Sequence, residues 1–434
     1  MIGCDEVGSV SAPPREENPP TENRIVTLMS SNGLLPPTAD VVVVGGGVIG
    51  LSTAFQLAKR GVHDVVVLEQ RHLGSGASGK SGALVRAHYT NASEAQLTHE
   101  SIDVFRNWGD CVGSGDPGYV ETGFVRVVSP ADEDVLRANV AVLREEVGIE
   151  TWVVTASELH EIEPLMRTDD LTAAAFEPHA GYCDPNATLY GFARAATDLG
   201  APIHTLTSVN GLLTSSGRIS GVETDHGVIA TRTVVLAAGA WADRLLLPLG
   251  IDLGLVPWRS QVVVFRWPPE VDQSRRHVVV IDSTRHSWFR VEGIACTLIG
   301  AEYGDRRADP DTFNESVAPE YVDHCRRALA ARFPVFAHST MRGGWAGVYM
   351  QSPDFHPIID KIPQVDGLYV MTGDAGSSFK TSPAIGICLA EWITDGAPSL
   401  VDLTSFRASR FDEGKPWIDA FRYDAEGEAQ TVAR

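Results

Sequence analysis

The sequence predicts an α/β protein in which a Rossmann-like, parallel-sheet domain is interleaved with a second, α+β domain carrying an antiparallel sheet. Three observations predict it. Residues 41–44 are an unbroken run of valines, as expected of a parallel strand buried on both faces. A glycine-rich turn, an apolar-sided segment at 48–60 and a second buried run at 65–68 follow at once, which is the order of a βαβ unit. A run of the same parallel type returns far downstream at 233–238, while the pieces at 262–265, 278–281 and 297–299 read as antiparallel strands.

Taken in order, residues 1–38 carry Pro13, Pro14, Pro19, Pro20, Pro36 and Pro37 among acids and serines with no hydrophobic period, so a disordered tail is expected. In the first helix Ile49, Leu51, Ala54, Leu57 and Ala58 share one side, and Gly61 stands beyond its end as a stop. From 93 to 194 the pattern loosens into helices at 95–108 and 132–147 with strand-like pieces such as 123–128. Alternating hydrophobics around 215–217 mark a hairpin at 209–225. The last signals are a strand at 368–372, a glycine-rich turn, and an apolar helix at 384–393.

Composition bounds the function. A chain of 434 residues with 44% hydrophobic and 21% charged residues has the balance of a soluble globular protein with room for two or three domains. No apolar run approaches the ~20 residues of a membrane span, and residues 1–20 lack the apolar stretch of a secretory signal. A net charge of −21 repels phosphate backbones and anionic lipid, so no nucleic acid partner is expected. The six cysteines show no CxxC spacing; neither a disulfide framework nor a metal site is indicated, and a cytoplasmic setting is expected.

Two constellations carry chemistry. Gly45, Gly47 and Gly50 match G-x-G-x-x-G between a strand and a helix, with Val48 and Ile49 opening that helix. The glycines permit a tight turn, close approach of a pyrophosphate and close helix packing, and the helix N-terminus faces the phosphate charge. Glu69, with Gln70 beside it, ends the second strand, where an acid accepts hydrogen bonds from an adenosine ribose. The second constellation is the turn Gly373, Asp374, Ala375, Gly376, Ser377 and Ser378, followed by Phe379, Lys380 and a helix starting near Pro383. A helix N-terminus there supplies the positive potential that a reduced flavin ring requires, which favours FAD over a nicotinamide dinucleotide.

Four stretches, VVVVGGGVIGLSTAFQLAKRG with VVVLEQ, GSGASGKSGALVRAHY, VVLAAGAWADRL, and WAGVYMQSPDFHPIID with GDAGSSFKTSPAIG, make the chain resemble the D-amino-acid oxidase superfamily of FAD enzymes. Within it the sarcosine oxidase, dimethylglycine dehydrogenase and proline dehydrogenase β-subunit branch is the most similar. The resemblance implies a discontinuous FAD-binding domain (39–92, 195–248 and 345–405), a substrate domain on a mixed or antiparallel sheet (93–194 and 249–344), and a C-terminal extension (406–434). It implies oxidation of the C–N bond of a small amine or amino acid, with secondary, N-methylated or cyclic amino acids favoured. Hydride would pass to flavin N5 to leave an imine, and electrons would go on to oxygen or another acceptor. A flavoenzyme of specialised metabolism acting on an unusual amine, or a flavin-binding subunit of a larger complex, would share this pattern.

By position, the resemblance implies that Gly76, Ala77, Ser78, Ser81, Gly82, Ala83 and Leu84 line the pyrophosphate and flavin. It implies that Val209 meets the adenine, and that Ala238, Gly239 and Trp241 approach the cofactor. Arg86 and Lys380 match residues that hold a substrate carboxylate. Tyr349 and His88, with Trp345, Trp288, Phe289 and Tyr89, are candidate pocket walls. The histidine and cysteine that bond covalently to flavin in some relatives fall at Lys80 and Gly347, so the resemblance implies non-covalent FAD. An oxygen-activating lysine falls at Leu298, which disfavours oxygen as the acceptor.

Overall fold

The computed structural model describes residues 35–304 and 306–423. Most of the expected N-terminal tail and the last residues of the C-terminal extension lie outside the described residues. The βαβ unit is present as strand β1 (Val41–Val44), helix α1 (Val48–Lys59) and strand β2 (Val65–Leu68). These two strands join a six-stranded sheet ordered Ile358–Lys361, Leu368–Thr372, Val234–Leu236, β1, β2, Ile203–His204, parallel throughout except for its first strand.

The valine run explains the layers. Side chains alternate across a strand, so Val41 and Val43 enter one apolar cluster with α1 and the helices Pro185–Asp198 and Ser382–Asp395. Val42 and Val44 enter another, with Leu212, Ile219 and Val222 of the small sheet formed by Val209–Ser215, Arg218–Thr224 and Gly227–Ile229. Both faces are covered, and no polar residue could alternate into the strand.

An eight-stranded sheet forms the other half of the molecule. Its antiparallel character matches the sequence reading except at one junction, where Val279–Asp282 runs parallel to Phe124–Val127 and makes the sheet mixed. That junction joins the chain segments before and after strand Val234–Leu236. The long strands Val256–Arg266 and Thr340–Gln351 pair along their whole length, so the expected boundary at residue 345 falls inside one strand. A buried ion pair, Arg332 Nε to Asp282 Oδ2 at 2.7 Å, anchors helix Pro319–Arg332 to this sheet. Residues of the C-terminal extension return to the core: Arg410 holds Asp354 at 2.8 Å, and Trp417 stacks on His356 at 4.3 Å between ring centroids. Among the described residues no helix is long and apolar enough to cross a membrane.

Candidate active site

A cavity of about 560 Å³ opens at the carboxyl ends of the parallel strands, where α/β sheets place ligands. Its first wall is backbone. Gly45 sits at φ +115°, and a Cβ there would lie 2.3 Å from the Ala237 carbonyl oxygen; at Gly50 it would lie 2.1 Å from the carbonyl oxygen of Gly45. Only glycine lets α1 begin so close to the strand ends. The N-cap, Gly47, makes no side-chain cap and the first turn holds no acid, so the helix end keeps its positive field. Ser78 Oγ accepts the Val48 N–H at 3.0 Å. Glu69 is fixed by two backbone donors, the N–H of Gly46 at 2.8 Å and of Arg71 at 2.7 Å, while burial raises its pKa. This glycine-walled cradle, with a helix end free of acidic side chains and a fixed carboxylate, fits a dinucleotide.

The opposite end is built from buried charge. The Arg86 guanidinium carbon and Lys380 Nζ each lie 4.8 Å from the centre of the Tyr89 ring, so two cations converge on one phenol. Lys380 Nζ donates to the Ser377 carbonyl at 2.8 Å, and the Tyr89 hydroxyl donates to the same oxygen at 3.1 Å. Arg86 Nη1 donates to the His88 carbonyl, while its buried Nε has no hydrogen-bond partner among the described residues. Burial, and then the neighbouring Arg86, hold the Lys380 pKa well below its usual value; burial also lowers that of Arg86. Behind them Glu177 accepts the Ala87 N–H at 2.9 Å, and burial pushes its pKa up to about 7. Burial disfavours the charges of both Arg86 and Lys380, so an anion entering beside them would stabilise both.

Aromatic walls complete the cavity. Tyr349 packs over the Gly373–Ser378 turn, with burial pushing its pKa up to about 12, and Trp288 lies across Gly82. Trp345 Nε1 donates to the Lys80 carbonyl at 2.9 Å. Gly347 lies beside Lys80, bringing together two positions far apart in the chain, and Lys80 Nζ pairs with Glu315 at 3.0 Å.

The cavity wall includes the expected Gly45, Gly47, Val48, Ile49, Glu69, Gln70, Val209, Ala238, Gly239 and Trp241, the expected positions between 76 and 84, and the whole of 373–380 together with Arg86 and Tyr349. Gly50 lies behind the turn rather than on the wall. His88 is a correction: its ring is enclosed by Phe124 and Tyr423, its Nε2 lies 2.9 Å from the Tyr423 hydroxyl, and it does not line the cavity. Burial and the charges of Arg126 and Arg86 hold its pKa well down, so the ring is neutral. The cause is a contact from 335 positions away, invisible to local reading. Phe289 is core, Tyr89 sits behind the two cations, and Leu298 is enclosed in strand Cys296–Ala301 off the cavity wall.

Sequence reasoning missed Arg71, Thr207, Arg244 and Arg306, which also line the cavity. Arg71 stands two residues after Glu69 and Arg244 lies within VVLAAGAWADRL, so both could have been found; Thr207 and Arg306 carry no local signal. Glu94, His356 and Asp419 bring potential metal-ligand atoms within 4.8 Å of one another. Asn91 Nδ2 donates to both carboxylates, at 2.7 and 3.1 Å, and His356 Nδ1 lies 2.8 Å from Glu94, so the group forms a hydrogen-bonded tie to the C-terminal segment.

Comparison with known proteins agrees with this geometry. The family model described as FAD dependent oxidoreductase, DAO, matches residues 40–392. The chain is 27% identical to human mitochondrial sarcosine dehydrogenase over 94% of its own length and 46% of that protein, so it spans about half the length of that relative. It is 27% identical to glycine oxidase of Geobacillus kaustophilus, over 86% of this chain and 97% of the relative. The crystal structure of L-proline dehydrogenase from P. horikoshii superposes with a TM-score of 0.80 at 27% identity, covering 88% of this chain and 100% of that one.

Proposed function

Since the chain belongs to the DAO family of FAD-dependent oxidoreductases, we propose that it oxidises the C–N bond of a small amino acid, with a secondary, N-methylated or cyclic one favoured. The observation that carries this reading is the pair of buried cations, Arg86 and Lys380, meeting over Tyr89 at one end of the cavity. The names of the relatives, a sarcosine dehydrogenase, a glycine oxidase and an L-proline dehydrogenase, support it. The glycine turn, Glu69 and the wall from 76 to 84 hold the dinucleotide, and the 373–380 turn takes the flavin end. Lys80 and Gly347 at the linking positions support a non-covalent cofactor.

Bound there, the flavin supplies a two-electron acceptor for the C–H bond beside nitrogen. Arg86 and Lys380 grip the carboxylate with charge-assisted hydrogen bonds and so fix the adjacent C–H in one orientation. An arriving carboxylate raises the Lys380 pKa back toward its ordinary value, because the added negative charge offsets the desolvation that lowers it. Tyr349 and Trp288 wall the site from water. An amine that enters neutral needs no strong base, and the imine product is hydrolysed by water after release. Oxygen or another oxidant then takes the electrons. Acid precipitation followed by anaerobic addition of amino acids to fresh holoenzyme tests the reading. FAD in the acid supernatant and bleaching by at least one amino acid are expected; colour retained in the pellet contradicts non-covalent binding, and absence of bleaching across the panel contradicts the substrate class.

A further inference from the structure

Between strand Cys296–Ala301 and helix Pro319–Arg332, both parts of the larger half of the molecule, residues 309–316 cross to the cofactor loops of the other half. Asp311 receives three donors. Arg244 Nη1 pairs with its Oδ2, Trp241 Nε1 donates to Oδ1 at 2.8 Å, and Arg71 Nη2 approaches Oδ1 at 3.4 Å. Arg244 Nη2 holds Asp309 at 3.1 Å, and Glu315 pairs with Lys80 at 3.0 Å. Arg71, Lys80, Trp241 and Arg244 all line the cavity; the first two come from the segment after β2 and the other two from the segment after strand Val234–Leu236.

The two ends of this segment are held differently. Its base is tied to its own sheet by main-chain groups: Arg259 Nε donates to the Asn314 carbonyl at 2.8 Å and its Nη2 to the Ser316 carbonyl at 2.6 Å, and the Ala346 N–H donates to the Glu315 carbonyl at 2.9 Å. Its tip, Asp309 and Asp311, reaches the other half through carboxylates that are 54% and 39% exposed. One such pair in water contributes little, but several that share a short segment act as a network and weaken with salt.

We propose that residues 309–316 form an electrostatic clasp that retains the cofactor, with Asp311 the positioning residue that holds the loops bearing Arg71, Trp241 and Arg244 closed around it. This rests on the reading that the cavity holds FAD. Release of FAD from the holoenzyme, followed by the rise in flavin fluorescence on dilution, tests it at low and high salt. Asp311→Asn is expected to release FAD about tenfold faster, Asp311→Glu at an intermediate rate, and Glu315→Gln faster than wild type. High salt is expected to speed wild-type release toward the rate of Asp311→Asn and to speed that variant less, because only its Asp309 and Glu315 pairs remain to be screened. The melting temperature of the apoprotein is expected to stay unchanged, with only the FAD-induced gain in stability reduced. Should Asp311→Asn fail to fold, Glu315→Gln decides by the same measurement. Unaltered release in an FAD-loaded protein overturns the clasp alone. Slower release also overturns it, because Asp311 would then compete with the cofactor for Arg71 and Arg244. A wild-type chain that neither carries nor takes up FAD overturns the reading of the cavity and the clasp with it.

Discussion

The two ends of the cavity are made of different material. At the glycine turn, recognition is done by backbone: Gly45 and Gly50 remove atoms so that N–H groups and a helix end can approach a ligand, and the Glu69 carboxylate is fixed in place by two N–H donors. At the Tyr89 end, the wall is made of long ionisable side chains, Arg86 and Lys380 with Glu177 behind them, which the fold strips of water. The first end tolerates almost no change in shape but has little to titrate. The second tolerates changes of side chain but responds to charge and pH.

The contrast predicts the largest effect at the backbone end. Gly45→Ala or Gly50→Ala forces a methyl group to within 2.3 or 2.1 Å of a carbonyl oxygen. Loss of most bound flavin is expected, measured as the flavin-to-protein ratio after purification, and a variant with full flavin would erase the contrast. At the other end, Arg86→Met or Lys380→Met should leave flavin content full. Apparent substrate binding should weaken ten- to a hundredfold, about 1.5–3 kcal/mol for a lost charge-assisted contact; flavin reduction against substrate concentration measures this.

Titration separates the ends further. Glu177 holds its proton up to about pH 7 in the folded chain, whereas in the unfolded chain it loses it near its ordinary value of 4.5. Between those values the folded state binds more protons, so this group's contribution favours folding below the lower value and declines as pH rises to about 7, by up to about 3 kcal/mol. Glu177→Gln should remove that decline, read by denaturant melts across the range; an unchanged slope would show that Glu177 is ionised in the folded chain. The smallest effect is expected behind the site. Tyr423→Phe loses the hydroxyl shared with His88 and with Asn139, which donates to it at 2.6 Å. A loss of about 1 kcal/mol in stability is expected, with substrate binding unchanged, because His88 stands off the cavity wall.

The same contrast explains what is legible in the amino-acid sequence. The backbone end depends on local spacing, so the valine run, the three glycines, Glu69 and the turn at 373–378 can be placed from their neighbouring residues alone. Arg86 and Lys380 are legible by resemblance to a family, not from their own surroundings. What escapes reading is set by contacts across the chain. Tyr423 turns His88 from a pocket candidate into a buried support, and Leu298 is fully buried in strand Cys296–Ala301, off the cavity wall. Thr207 and Arg306 reach the cavity wall, and Glu177 stands behind it, from segments that carry no motif, so only the folded chain reveals them.

Whether a carboxylate held by Arg86 and Lys380 orients the bond to be oxidised is decided by paired substrates under anaerobic conditions. N-methylglycine and proline are compared with dimethylamine and pyrrolidine, which keep the C–N bond but lack the carboxylate, and the concentration needed to bleach half of the flavin is measured. Bleaching by at least one amino acid is expected at a concentration ten or more times lower than by its carboxylate-free counterpart, a gap that closes in Arg86→Met. Equal bleaching by both members of each pair would contradict a carboxylate grip.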